Sequence, residues 1–134
     1  MSYGHLSTDC HHYHDIVVDY GAGPRPEIVV LCGSTRFHET FRAENLRLTL
    51  AGAIVLSIGC DTTADGDLTT AGQLGQDPDA LKARLDALHL RKIDLADRVH
   101  VLDLDGYLGD STRREIEYAT KLGKPITYLS EVPA

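Results

Sequence analysis

The chain has 134 residues, a common size for one domain, and its 43% hydrophobic content is enough to bury a core without disulfide or metal staples. With 20 acidic against 13 basic residues, its formal charge of −7 lacks the cation excess that binds a nucleic-acid backbone, so DNA and RNA are not expected partners. Cys10, Cys32 and Cys60 follow no CxxC spacing, the chain does not open on a basic segment followed by an apolar one, and no window approaches the roughly 20 apolar residues of a membrane span. A reduced, cytoplasmic protein without membrane association is therefore expected.

Residues 1–26 are polar, carry His5, His11, His12 and His14, and end in Gly21-Ala22-Gly23-Pro24-Arg25-Pro26, which cannot continue a helix or a central strand. They read as a loosely ordered extension before a single α/β domain over 27–134. Ile28-Val29-Val30-Leu31-Cys32 is a short, continuous apolar run of mainly β-branched residues, as in a strand buried on both faces of a parallel sheet. Gly33-Ser34-Thr35 ends it, with Ser34 or Thr35 as the N-cap of a helix. Phe37, Phe41, Ala43, Leu46, Leu48 and Leu50 then form a broad apolar face to about residue 51. Gly52 closes this helix, 53–58 reads as a second strand, and 59–78 is a loop of Gly, Asp, Thr and Gln long enough to serve as a lid.

Leu81, Leu85, Leu88 and Leu95 mark a helix over 79–95, followed by a third strand over 99–103. A glycine-rich turn over 105–110 leads to a helix over 112–122, then Gly123-Lys124-Pro125 and a last strand over 126–129. Strands alternating with helices predict a three-layer, Rossmann-like (flavodoxin-like) fold, with a parallel sheet of four or five strands and helices on both faces. Ligands of such sheets gather beyond the carboxyl ends of the strands, where 33–36 and 103–115 fall.

Two of these turns suit chemistry. In Cys32-Gly33-Ser34-Thr35-Arg36, glycine permits close backbone approach, helix-start amides point outward and Arg36 adds a cation, a combination that suits a phosphate; the alternative is an ordinary cap with a solvated arginine. Neither GxxxxGK[ST] nor GxGxxG is present, which removes support for ATP and NAD chemistry, and no cofactor is expected. In Gly109-Asp110-Ser111-Thr112-Arg113-Arg114-Glu115, the glutamate falls in the first helical turn, facing the same rim; alternatively Thr112 and Glu115 form a capping box.

Other patterns carry less. Asp103 and Asp105 stand at the rim, Tyr107 offers an aromatic face or simple packing, and His100 on a strand reads as a satisfied core or edge residue. The histidines of the extension lack a regular ligand spacing. Asp61-x-Thr63-x-Asp65-Gly66 begins like a calcium loop, but Gly72 stands where a bidentate glutamate is required, so no metal is expected.

Over about residues 27–129 the chain resembles the nucleoside 2-deoxyribosyltransferases and the related 2'-deoxynucleoside 5'-phosphate N-hydrolases. The resemblance is carried by Cys32-Gly33-Ser34, by Ala96-Asp97, and above all by Ser111-Thr112-Arg113-Arg114-Glu115-Ile116-Glu117-Tyr118-Ala119 with the trailing Gly123-Lys124-Pro125-Ile126. It is similar to the family's [SG]-T-x-x-E-x-G-x-A signature. It implies an N-glycosidase acting on a nucleoside 5'-monophosphate, with Glu115 as the nucleophile at C1', Ser111 and Thr112 near the 5'-phosphate, and Gly33, Ser34, Thr35 and Arg36 bordering the nucleotide. A homodimer is implied too, since relatives complete their sites across a subunit contact. The chain departs from the family in carrying His89 eight residues before Asp97, where an aspartate is usual, Glu117 at the signature's second glycine, and Val30 where some members have tyrosine. His89 is either a general acid toward the leaving base or a hydrogen-bonded helix histidine. A deoxyribosyltransferase and a non-catalytic nucleotide sensor are the alternative functions.

Overall fold

The computed structural model describes residues 24–58 and 77–133. The histidine-rich segment, the calcium-like pattern and residues 59–76 of the loop expected over 59–78 lie outside the described residues; Asp77 and Pro78 are the cap and first residue of a helix. Among the described residues, four strands alternate with three helices: β1 (Ile28–Gly33), α1 (His38–Leu50), β2 (Ile54–Leu56), α2 (Pro78–Leu95), β3 (Arg98–Leu102), α3 (Asp110–Lys121) and β4 (Ile126–Tyr128). Short 3-10 turns occupy Thr35–Phe37, Leu104–Gly106 and Leu129–Glu131.

The sheet order is β2-β1-β3-β4, and every neighbouring pair is parallel. Side chains alternate across β1, and two core layers follow from that period of two. Val30 and Cys32 pack with Val99, Val101, Ile93 of α2 and Ala119 of α3 on one face. Val29 and Leu31 pack with Leu102 and with Phe41 and Leu48 of α1 on the other. Helices thus cover both faces, which gives the three-layer α/β, Rossmann-like architecture. No described helix is long and apolar enough to cross a membrane.

Several element boundaries and faces differ from expectation. β2 is confined to Ile54–Leu56 instead of 53–58, and β4 stops at Tyr128 because Leu129 opens a 3-10 turn. In α1 the buried stripe is Phe41, Glu44 and Leu48, so Leu46 and Leu50 are 59% and 78% exposed. In α2 it is His89 and Ile93, which leaves Leu88 and Leu95 outward. A helix with leucines on several sides does not declare which stripe meets the sheet, and here a glutamate and a histidine take inward positions because each finds a polar or ionisable neighbour there.

Glu44 meets His100, whose Nε2 lies 2.9 Å from Glu44 Oε1 and whose Nδ1 lies 2.7 Å from Thr127 Oγ1. Arg47 donates to Glu44 at 2.8 Å, and Arg98 donates to Thr127 Oγ1 at 2.8 Å and to Glu27 at 3.0 Å. His100 is thus a satisfied core residue. Asp97 precedes β3 and accepts from Arg25 at 2.6 Å and from the Ile28 amide at 2.8 Å. It clamps the amino ends of β1 and β3, away from the ligand-binding rim.

Candidate functional site

Chain order places the site. From β1 the chain turns to β2 on one side and then crosses to β3 on the other, so the sheet's switch point lies between β1 and β3. Their carboxyl ends, Gly33 and Leu102, are paired in register. Beyond them opens a cavity of about 320 Å³, at the small end for a small-molecule site. The β1–α1 turn contributes Gly33, Ser34 and Thr35 to its wall, and the start of α3 contributes Gly109, Asp110, Ser111 and Thr112. One face of α2 adds Lys82, Leu85, Asp86 and His89, and Glu115 completes the lining with Ile58.

The orientation of Glu115 follows from where α3 begins. The helix starts at Asp110, two residues earlier than expected, after Gly109 as N-cap with no side-chain cap hydrogen bond. Glu115 therefore belongs to the second turn, and no capping box with Thr112 forms. Its side chain is 15% exposed, and Oε1 lies 3.9 Å from His89 Nε2. His89 Nε2 is in turn 3.4 Å from Cys32 Sγ. Cys32, His89 and Glu115 offer a sulfur, a nitrogen and an oxygen that all lie within 4.8 Å of one another.

Burial governs the protonation of this trio. It pushes the Glu115 carboxyl up to about 7, partly offset by a hydrogen bond from the Cys32 thiol and raised further by Asp86. It pushes His89 down to about 4, reinforced by Lys92, so the imidazole is neutral at pH 7. The Cys32 thiol is raised well above its ordinary value by burial and then by the neighbouring Glu115. His89 Nδ1 is buried without a hydrogen-bond partner among the described residues.

Of the residues expected from sequence, Gly33, Ser34, Thr35, His89, Ser111, Thr112 and Glu115 meet around the cavity. Arg36 and Tyr107 do not line it: the guanidinium lies over the Tyr107 ring at 4.2 Å from its centroid, and Phe37 meets the same ring edge-on. Ser34, not Thr35, caps the 3-10 turn, accepting from the Arg36 amide at 3.3 Å. Asp103 is also withdrawn from the rim, accepting from the Ser130 amide and hydroxyl at 2.9 and 2.6 Å. Asp105 adopts φ 55 in a turn, a conformation aspartate tolerates. Glu117, 72% exposed, pairs with Lys121, and Val30 is core.

Sequence reasoning took Cys32 as the end of an apolar strand without a chemical role, and missed Lys82, Asp86 and Asp110. The spacing of 82, 85, 86 and 89 along one helical face was a usable signal for two of them. Cys32 had none, because its significance comes from residues distant in the chain. In comparisons with known proteins, the chain matches no family model and no curated sequence.

Proposed function

We propose that this chain is an N-glycosidase that hydrolyses the bond between base and sugar of a nucleoside 5'-monophosphate, with Glu115 as nucleophile. The reading rests on one observation: the Glu115 carboxyl lines the switch-point cavity next to His89 and Cys32 instead of capping its own helix. The ionised carboxylate attacks C1' as the base departs with the bonding electrons, and the resulting glycosyl ester is hydrolysed by water at C1'. The amides at the start of α3, with the Ser111, Thr112 and Ser34 hydroxyls, hold the 5'-phosphate, and Lys82 adds positive charge at the wall. Phosphate binding remote from the reacting bond positions C1' against Glu115.

Neutral His89 lies 3.9 Å from the carboxylate and helps to position it, and the departing base takes its proton from water in the cavity. Arg36 and Tyr107 act only at the approach to the site. The protein works in the cytoplasm, in keeping with its composition, and as a homodimer, as the resemblance implies.

One observation favours a second reading, a nucleotide sensor without turnover: a carboxyl with a pKa of about 7 is half protonated at neutral pH, and the protonated form is a poor nucleophile. Incubation with a panel of ribo- and deoxynucleoside monophosphates, followed by chromatography for free base, separates the two. The glycosidase releases base, and Glu115→Ala stops the release. Absence of base from every nucleotide, with nucleotide binding unchanged in Glu115→Ala, leaves the sensor. Adding a second base to the same mixture identifies a transferase by the new nucleotide formed.

A further inference from the structure

We propose that Cys32, His89 and Glu115 form a binding site for a thiophilic divalent cation of the zinc class, with one coordination position open to the cavity. The three donors come from the end of β1, the middle of α2 and the second turn of α3, and so are held by three packed elements. Tetrahedral zinc, with bonds of about 2.0–2.1 Å to nitrogen or oxygen and about 2.3 Å to sulfur, separates neighbouring donor atoms by about 3.3–3.6 Å. Cys32 Sγ and His89 Nε2 are 3.4 Å apart, and His89 Nε2 and Glu115 Oε1 are 3.9 Å apart, so small rotamer shifts close the site. All three atoms lie within 4.8 Å of one another.

A sulfur, an imidazole nitrogen and a single carboxylate select a borderline-soft ion over magnesium or calcium, which require several oxygens. Two donors are shielded from water, with Cys32 fully buried and His89 5% exposed, while Glu115 borders a cavity of about 320 Å³ that supplies room for a fourth ligand. Binding exchanges the thiol proton for the cation: the sulfur–hydrogen bond breaks, a sulfur–metal bond forms, and one proton leaves to solvent. On the reading of Glu115 as nucleophile, the same cation occupies the attacking oxygen and suppresses base release.

The test uses the full chain with Cys10→Ser and Cys60→Ser, which leaves Cys32 as the only thiol. Cobalt(II) titration is expected to produce a near-ultraviolet thiolate-to-metal band with tetrahedral visible bands, and zinc to abolish both by displacement. His89→Gln and Glu115→Gln, shown folded by circular dichroism, are each expected to weaken cobalt binding by at least about tenfold. The proposal is overturned if no thiolate band develops with cobalt up to about 1 mM, or if the band is unmoved in both variants. The first of those outcomes requires no change in the core trio. Base release measured separately with and without zinc distinguishes the two ideas: a cobalt band without glycosidase activity retains the metal site, and activity without a band retains the glycosidase.

Discussion

Ionising the buried Glu115 carboxyl creates a charge away from water, so its effect on stability has the opposite sign to that of a salt-bridged surface carboxylate. Its folded pKa of about 7 lies above the ordinary value of 4.5, so the folded state binds the proton more tightly than the unfolded chain. The stabilisation is complete below about pH 4.5, is lost as pH rises through about 7, and changes no further above that. Glu115→Gln in chelator-treated protein is expected to gain up to about 3 kcal/mol at about pH 8.5 and almost nothing at about pH 4.5, read by urea unfolding. A second consequence concerns rate: with the ionised form as nucleophile, kcat/KM for base release should climb with an apparent pKa near 7. A profile that is flat from about pH 6 to 8 is incompatible with that role. At Gly33 the constraint is steric. A Cβ there would sit 3.0 Å from Leu102 Cβ and 3.2 Å from its carbonyl oxygen. Gly33→Ala is expected to cost about 1–3 kcal/mol, seen as a lower Tm even without ligand, because the neighbouring strand has to move.

Among the elements, α2 separates pattern from placement. Its leucines identified a helix, and the sequence boundary of 79–95 lies within one residue of Pro78–Leu95. They did not identify its inner face, which carries Ile93 at 0% exposure and leaves Leu95 at 66%. Ile93→Val/Ala truncation tests this directly: the alanine variant is expected to lose about 2–5 kcal/mol, whereas Leu95→Lys should stay within about 0.5 kcal/mol, both by denaturant unfolding. Equal losses at both positions would contradict the packing described for α2. The start of α3 shows the same limit at a helix end. Thr112 and Glu115 satisfied a capping-box pattern, yet Gly109 is the cap, and that shift moves Glu115 from the first turn to the second. Capping motifs specify a preferred hydrogen bond, and the competing requirement here was to bury Thr112, which is 2% exposed.

For the whole molecule, the order β2-β1-β3-β4 creates one crevice where two β–α turns converge, and a ligand bound there bridges β1, α2 and α3. A ligand that binds only the folded chain stabilises it by mass action, so a nucleoside monophosphate at about 100 times its Kd is expected to add about 2.7 kcal/mol and raise Tm by several degrees. Thermal scans with nucleoside monophosphates against the corresponding nucleosides measure the phosphate's share. An equal shift from both would remove the phosphate from the proposed binding mode.

By itself, the sequence determined the alternation of strands and helices, the parallel sheet and the two turns that reach its rim. These depend on local periodicity, on β-branched runs and on glycine punctuation, all of which operate within a few residues. Only the tertiary structure decided which polar residues meet. It brought Cys32 to His89 across 57 positions, took Arg36 and Tyr107 out of the cavity wall and set Asp97 at the opposite end of the sheet. Strand order and helix rotation control those distances, and the burial they impose is what shifts the protonation of Glu115 and His89.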